Sequence, residues 1–292
     1  MILVTGATGQ YGTQAIEHLL RKGVEPRRIV ALVRDKAKGQ QLQDQGIELR
    51  IGDYSDVESL RRALQGVDTL LLVSSNDRGA AENRTAHHVN VINAAKEARV
   101  KHLVYTSFVR KPGFETSAIA AFQQAHADTE QAIQDSGLPY TILENGIYLE
   151  MIPRLIGEKV AETGLILLPA QEGRASWVLR EELAEAAAHV LTTTGHENQR
   201  YVLTNTEATS FGDIAQELSR RLGKEIHYQS PTVEAFQATL TQAGVPALYI
   251  GMFATWARAV AQGLLDVEGT TLAAFLGRKP TTTAQFLTRV YS

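Results

Sequence analysis

The stretch TGATGQYG, residues 5–12, sets three glycines three apart, directly behind the apolar run Met1-Ile2-Leu3-Val4 and directly ahead of TQAIEHLLRKG. In that following segment Ala15, Ile16, Leu19 and Leu20 recur at helical spacing, and Gly23 supplies a stop. The order is strand, glycine turn, helix. Such glycines have a physical reason: one permits the tight turn, another lets backbone N–H groups approach a pyrophosphate, and the third lets helix pack on strand. The helix N-terminus then faces the phosphates with its dipole. The spacing Gly6-x-x-Gly9-x-x-Gly12 is one residue longer than the commonest dinucleotide fingerprint. A glycine triplet alone is weak evidence, but in this context it favours nucleotide binding over a purely structural turn. Thr8, Gln10 and Tyr11 join the three glycines as candidate cofactor residues.

Over the first half of the chain, short apolar runs alternate with helical patterns. Strands are expected at 2–5, 29–33, 47–51, 69–73, 103–106 and 140–143, with helices near 12–22, 36–45, 56–65, 81–98 and 117–136. Strands separated by helices imply parallel crossovers, so the fold class is α/β, a Rossmann-type doubly wound parallel sheet. Beyond Asn145 the pattern breaks. LREELAEAAAHVLT then reads as a helix and RYVLT as one more strand of the same sheet, and 210–290 is mostly helical, with Ser210 and Asp213 in capping-box spacing. The expected division is a cofactor domain of 1–146 plus about 177–206, and a smaller, mostly helical C-terminal lobe formed by about 147–176 and 207–292.

About twenty residues past the glycine turn, an NAD-binding chain places an acid that grips the ribose hydroxyls. Here the stretch is ALVRDKAK: Arg34 ends the second strand. A guanidinium there clamps the 2′-phosphate of NADP in a bidentate way, and Lys36 and Lys38 add charge nearby. The cofactor expected is therefore NADP(H), although a solvated Arg34 beside a helix-capping Asp35 is the bland alternative. In GDYSDVESL, Ser55 and Glu58 have capping-box spacing, while Asp53 and Tyr54 either lie against adenine or form a plain loop. In LLLVSSND, Ser74 and Ser75 end the fourth strand, where small residues let a nicotinamide ribose pass.

The bulk properties exclude other classes. With 44% hydrophobic and 21% charged residues over 292, the chain is long enough for a large core. A net charge of −3 without a basic stripe argues against nucleic acid. There is no cysteine, which removes disulfides, thiolate metal sites and a cysteine nucleophile. The adjacent His87 and His88 point about 100° apart on a helix and lack a third ligand, so no metal is assigned. No apolar run approaches the roughly 20 residues that span a bilayer. Processing near the N-terminus would destroy the glycine turn, so no cleavable leader is expected. A cytoplasmic protein without a membrane partner is expected, as a homodimer or a monomer.

Taken in order, TGATGQYG, VALVRD, GDYSD, LLLVSS, NVINAAKEARVKHLVYTS and PYTILENGIY resemble the NmrA-like atypical short-chain dehydrogenases. Within that family the similarity is to the NADPH quinone oxidoreductase 2 and triphenylmethane reductase group, and it runs through LREELAEAAAHVL, GHENQRYVL and FLGRKPTT. The resemblance implies that Gly6 to Gly12, Arg34, Ser74, Ser75 and the segment around Asn145 touch NADP, and Thr106 is a further candidate cofactor residue. It also implies that Tyr148 and the helical lobe line a substrate pocket. Most short-chain dehydrogenases use a tyrosine and a lysine one helical turn apart, the phenol giving a proton as hydride arrives. This chain has no YxxxK; alignment on Glu130 in FQQAHADTE puts His126 at the lysine position and Phe122 at the tyrosine position. Phenylalanine donates no proton, which disfavours simple ketones. Quinones and triarylmethane dye cations remain as small aromatic acceptors, held face to face with the donor in an apolar slot.

Phe108, Tyr148, Met151 and Trp177 are candidate walls of that slot, with a plain core role equally open for Met151 and Trp177. The candidate catalytic residues are His126, Ser107 and Tyr148. His126 either orients the ribose or protonates a quinol oxygen, or else lies on the exposed face of a polar helix. Ser107 lies near the usual catalytic-serine position, though an offset of one residue would put Phe108 there. Glu144 stands where the resemblance implies arginine, and either favours cationic substrates or points outward. The alternative to a reductase is a non-catalytic NADP-binding redox sensor that acts through a protein partner.

Overall fold

The computed structural model describes residues 1–75, 80–157 and 159–291. It divides into two compact units, the first formed by Met1–Phe108, Ala121–Asn145 and Arg180–Val202, the second by Val109–Ala120, Gly146–Leu179 and Leu203–Ser292. Residues 109–120, 146, 177–179 and 203–206 thus belong to the second unit, not to the cofactor domain as the sequence pattern implied.

The first unit carries strands β1 (Ile2–Val4), β2 (Ile29–Val33), β3 (Glu48–Ile51), β4 (Thr69–Leu72), β5 (His102–Phe108), β6 (Tyr140–Asn145) and β7 (Gln199–Leu203). They form one sheet in the order β3-β2-β1-β4-β5-β6-β7. The pairs from β3 through to β6 are all parallel. The chain runs outward from β1 to β3 and then returns to β4 on the other side of β1. That reversal is the topological switch point, outside whose strand ends ligands bind in open α/β sheets.

Helices α1 (Gln10–Arg21), α2 (Gln40–Asp44), α3 (Val57–Ala63), α4 (Ala80–Glu97), α5 (Ala120–Ser136) and α6 (Arg180–Thr192) complete the unit. Every residue of β1 and β2 is buried, as crossovers covering both faces require. Leu3, Val30, Leu60, Leu70, Val91 and Leu103 share one core layer, each buried side chain contributing about 1.5–3 kcal/mol. Asp56, not Ser55, caps α3, accepting the Ser59 N–H at 3.1 Å. The expected capping box therefore lies one residue too early, because Ser55 donates to Asp53 instead.

The second unit is mostly helical, with α7 (Phe211–Leu222), α8 (Val233–Gln242), α9 (Ala247–Ala261), α10 (Thr271–Leu276) and α11 (Thr283–Val290). The capping box of Ser210 and Asp213 is present at the start of α7. Two short ladders join Leu165–Leu167 to His227–Gln229 and Arg174–Ala175 to Thr209–Ser210. Among the described residues no helix is long and apolar enough to cross a membrane.

Candidate functional site

The turn after β1 is built from backbone. Gly6 lies in the left-handed region at φ 57°, where a side chain would be strained. A Cβ on Gly12 would stand 2.3 Å from the Gly6 carbonyl oxygen, so only glycine lets α1 seat this closely on the turn. Gly9 caps α1 with no side chain to take its first-turn N–H groups, which suits an anion at that end. Tyr11 departs from expectation: its hydroxyl donates to the Leu183 carbonyl of α6 at 3.0 Å, so the ring is packing. Gln10 accepts from Arg180 through its side-chain oxygen. Thr8 is exposed and lines a cleft with Thr13, Lys38 and Gln41.

Arg34 follows β2 directly and is exposed, and Asp35 accepts the Ala37 N–H at 2.9 Å, capping the turn beyond it. Asp53 accepts from the Ser55 N–H and hydroxyl at 2.8 and 2.6 Å. Those hydrogen bonds, with the Arg34 charge, hold its carboxyl below the usual range. Tyr54 is a strut: its hydroxyl lies 2.9 Å from the Val73 carbonyl and also meets Thr5, while Asn90 donates to its carbonyl at 2.9 Å.

The turn after β4 is built from side chains. Three successive N–H groups, of Val73, Ser74 and Ser75, are accepted by Thr5 Oγ1 at 2.8 Å, Thr106 Oγ1 at 2.8 Å and His88 Nε2 at 3.0 Å. Thr106 is thereby an anchor for Ser74. The buried Ser75 hydroxyl and both polar atoms of the buried Asn145 amide, at the end of β6, find no hydrogen-bond partner among the described residues. Unsatisfied buried groups of this kind are costly unless a ligand meets them. The glycine cradle and these groups fit a bound dinucleotide.

His126 is not on an exposed face. It is 2% exposed, with Nδ1 2.7 Å from the Tyr105 hydroxyl and Nε2 2.9 Å from Arg84 Nη1. The arginine can only donate, so Nε2 accepts and Nδ1 carries the proton. Phe122 packs edge-on against Phe108 at 5.0 Å and His126 at 4.9 Å, with the Arg84 guanidinium 4.7 Å from its ring centre. Ser107 donates to the buried Glu130. Glu130 and Glu144 both bind Arg200 of β7 at 2.6 Å, and this pairing outweighs burial in raising the Arg200 pKa. Glu144 is therefore an ion-pair partner within the sheet.

Sequence reasoning missed Arg84, His88, Thr129, Glu130 as an anchor, and Arg200. A signal existed: Gln123, His126, Thr129, Glu130 and Ile133 recur at helical spacing, and all are buried. The inward stripe of α5 is mostly polar, which hydropathy alone reads as an outer face.

In the second unit Tyr148 and Met151 are half-buried. Trp177 is 1% exposed, donates its indole N–H to the Thr209 carbonyl at 3.3 Å and packs edge-on against Phe211, so it is a core residue and not a pocket wall. The first unit brings together the cofactor candidates, His126, Ser107 and Phe108; Tyr148, Met151 and Trp177 lie in the second. Among the described residues no cluster of His, Asp or Glu is arranged to hold a metal ion.

The model of the NmrA-like family matches residues 1–287. Quinone oxidoreductase 2 of Escherichia coli is 38% identical over 293 residues, covering 100% of this chain and 99% of that one. The crystal structure of the E. coli NADPH-dependent quinone oxidoreductase complexed with NADPH matches at a TM-score of 0.91, 38% identity and 100% of each chain. The Citrobacter sp. triphenylmethane reductase complexed with NADP(H) matches at a TM-score of 0.90 and 36% identity, covering 99% of each chain.

Proposed function

The chain belongs to the NmrA-like family, and from that membership we propose that it is an NADPH-dependent oxidoreductase passing hydride to a quinone-like or cationic aromatic acceptor. The observation that carries this reading is what stands where short-chain dehydrogenases hold their proton donor. Phe122 has no proton to give, and both ring nitrogens of His126 are engaged by Arg84 and Tyr105. Ser107 spends its hydroxyl on Glu130. No group at that position is placed to give a proton, which favours an acceptor that needs none from it.

NADPH, when bound, supplies a hydride. A triarylmethane cation takes a hydride at carbon and is neutralised; a quinone takes the hydride and one proton from water to give the quinol. The protein's part is positioning. The glycine turn and the N-terminus of α1 receive the pyrophosphate, Arg34 with Lys38 selects the 2′-phosphate, and Ser74, Ser75 and Asn145 meet the cofactor at the strand ends. His126 is read as a buried structural residue, held between Arg84 and Tyr105. Phe108 is the residue of the first unit assigned to contact the acceptor.

The test follows loss of NADPH absorbance with a panel of quinones and a triarylmethane dye, against NADH. Enzyme-dependent turnover that prefers NADPH, and a preference lost in Arg34→Ala, is the expected result. NADP binding without turnover of any acceptor would overturn the reductase reading in favour of a redox sensor.

A further inference from the structure

Val73, Ser74 and Ser75 leave the end of β4 with their N–H groups pointing into protein, and the three acceptors differ in kind. Thr5 follows β1 and Thr106 lies within β5, the strands on either side of β4, so they meet Val73 and Ser74 by adjacency in the sheet. Ser75 is met by a histidine brought in from α4. A neutral imidazole accepts at one nitrogen only while the other carries the proton, so the tautomer must be held. Thr129 holds it. The Thr129 hydroxyl donates to the Ala125 carbonyl at 2.8 Å, so it can only accept from His88 Nδ1, 3.0 Å away. Nδ1 therefore bears the hydrogen, which the Tyr105 hydroxyl also faces from 3.5 Å, and Nε2 presents its lone pair to Ser75. The ring is fully buried, edge-on to Tyr105 at 5.4 Å and to Tyr54 at 6.2 Å.

The second observation is the Ser75 hydroxyl. It is buried and finds no partner among the described residues, although its own backbone N–H is held in place. We infer that His88 is a positioning residue for the dinucleotide: with Thr129 fixing its tautomer, it grips the Ser75 N–H and so aims the Ser75 hydroxyl at bound NADPH. The inference rests on reading the Val73–Ser75 turn as part of the cofactor site. His88 touches neither cofactor nor acceptor and acts through the backbone of Ser75. Burial, with the charge of Arg84, keeps the ring neutral, its pKa pushed down to about 3.

The experiment compares the full-length protein with Ser75→Ala, His88→Leu, His88→Gln, Thr129→Val and the Ser75→Ala/His88→Leu double variant. NADPH affinity is read by direct titration, and KM for NADPH and kcat at saturating acceptor. Ser75→Ala and His88→Leu should each raise the Kd and KM for NADPH about tenfold, by losing a buried hydrogen bond or stranding a donor, and the His88→Leu change should fall on KM more than on kcat. His88→Gln should recover most of the loss, because its Oε1 reaches the place of Nε2. Thr129→Val should weaken NADPH binding by freeing the tautomer, and the double variant should be no weaker than the worse single one.

A folded His88→Leu protein with native NADPH affinity and only a lower melting temperature would make the ring a core filler and overturn the inference. Glutamine as damaging as leucine would overturn it too. If the leucine variant does not fold, Thr129→Val decides, and unchanged NADPH affinity there refutes the relay. Native affinity in Ser75→Ala would instead refute the reading of the turn itself, and the inference with it.

Discussion

The turn after β1 and the turn after β4 flank the switch point of the same sheet, yet they are made of opposite materials. The first is a backbone device: eight contiguous residues, a left-handed Gly6, and a Gly12 that allows close packing. The second is a side-chain device, in which Thr5, Tyr54, His88 and Thr106 converge on three residues. A backbone device fails when one atom is added. A side-chain device loses its contacts one at a time, by amounts that depend on how deeply each partner is buried.

That contrast orders the expected effects. Gly12→Ala is the largest: with its Cβ 2.3 Å from the Gly6 oxygen, it should cost about 3 kcal/mol or more and abolish NADPH binding. Thermal unfolding and NADPH titration measure both, and a stable variant that still binds would break the backbone account.

Next is Arg200→Ala, which extends the side-chain case to Glu130. Glu130 is 3% exposed and would lose its cation, but Arg200 itself is 38% exposed, so the cost falls to about 2 kcal/mol. Denaturant titration reads this, and Glu130→Gln in the same background should restore part of the loss.

The third effect depends on pH. His88 titrates at about 3 in the folded protein against 6.5 ordinarily. The unfolded chain therefore binds a proton in that window which the folded chain refuses. This contribution to stability is complete above pH 6.5 and is lost on acidification, with a slope of up to about 1.4 kcal/mol per pH unit. His88→Gln removes that slope, so the stability difference between wild type and variant should shrink as pH falls. His18, His102 and His189, also depressed by burial, titrate in both proteins and cancel. The smallest effect is Tyr54→Phe, which loses the hydroxyl contact with Val73 at a cost of about 1 kcal/mol. Its NADPH affinity should barely change if Tyr54 is only a strut, and a large loss would bring Tyr54 back into the cofactor site.

The same contrast explains what was legible. The strand–helix alternation, the order of the elements and the position of Arg34 after β2 follow from patterns within windows of a few residues. An exposed face for His126 is what its flanking Gln124 and Asp128 suggest, since polar stripes ordinarily face water, whereas Gln123, His126, Thr129 and Glu130 line the buried side of α5. Glu144 was ambiguous because its partner Arg200 lies 56 residues on. Ser55 has the spacing of a helix cap, but Asp53 claims its hydroxyl and leaves the cap to Asp56.

The doubly wound sheet, the glycine cradle, the arginine expected at the 2′-phosphate and the missing phenol are readable from residue order alone. Each depends on residue type at short range. That Trp177 is core, that both nitrogens of His126 are engaged and that His88 holds Ser75 emerges only when distant segments pack. Those outcomes depend on which buried polar atoms meet across segments far apart in the chain. A hydrogen bond between such atoms is strong enough to fix a ring, yet leaves no periodic trace in the sequence.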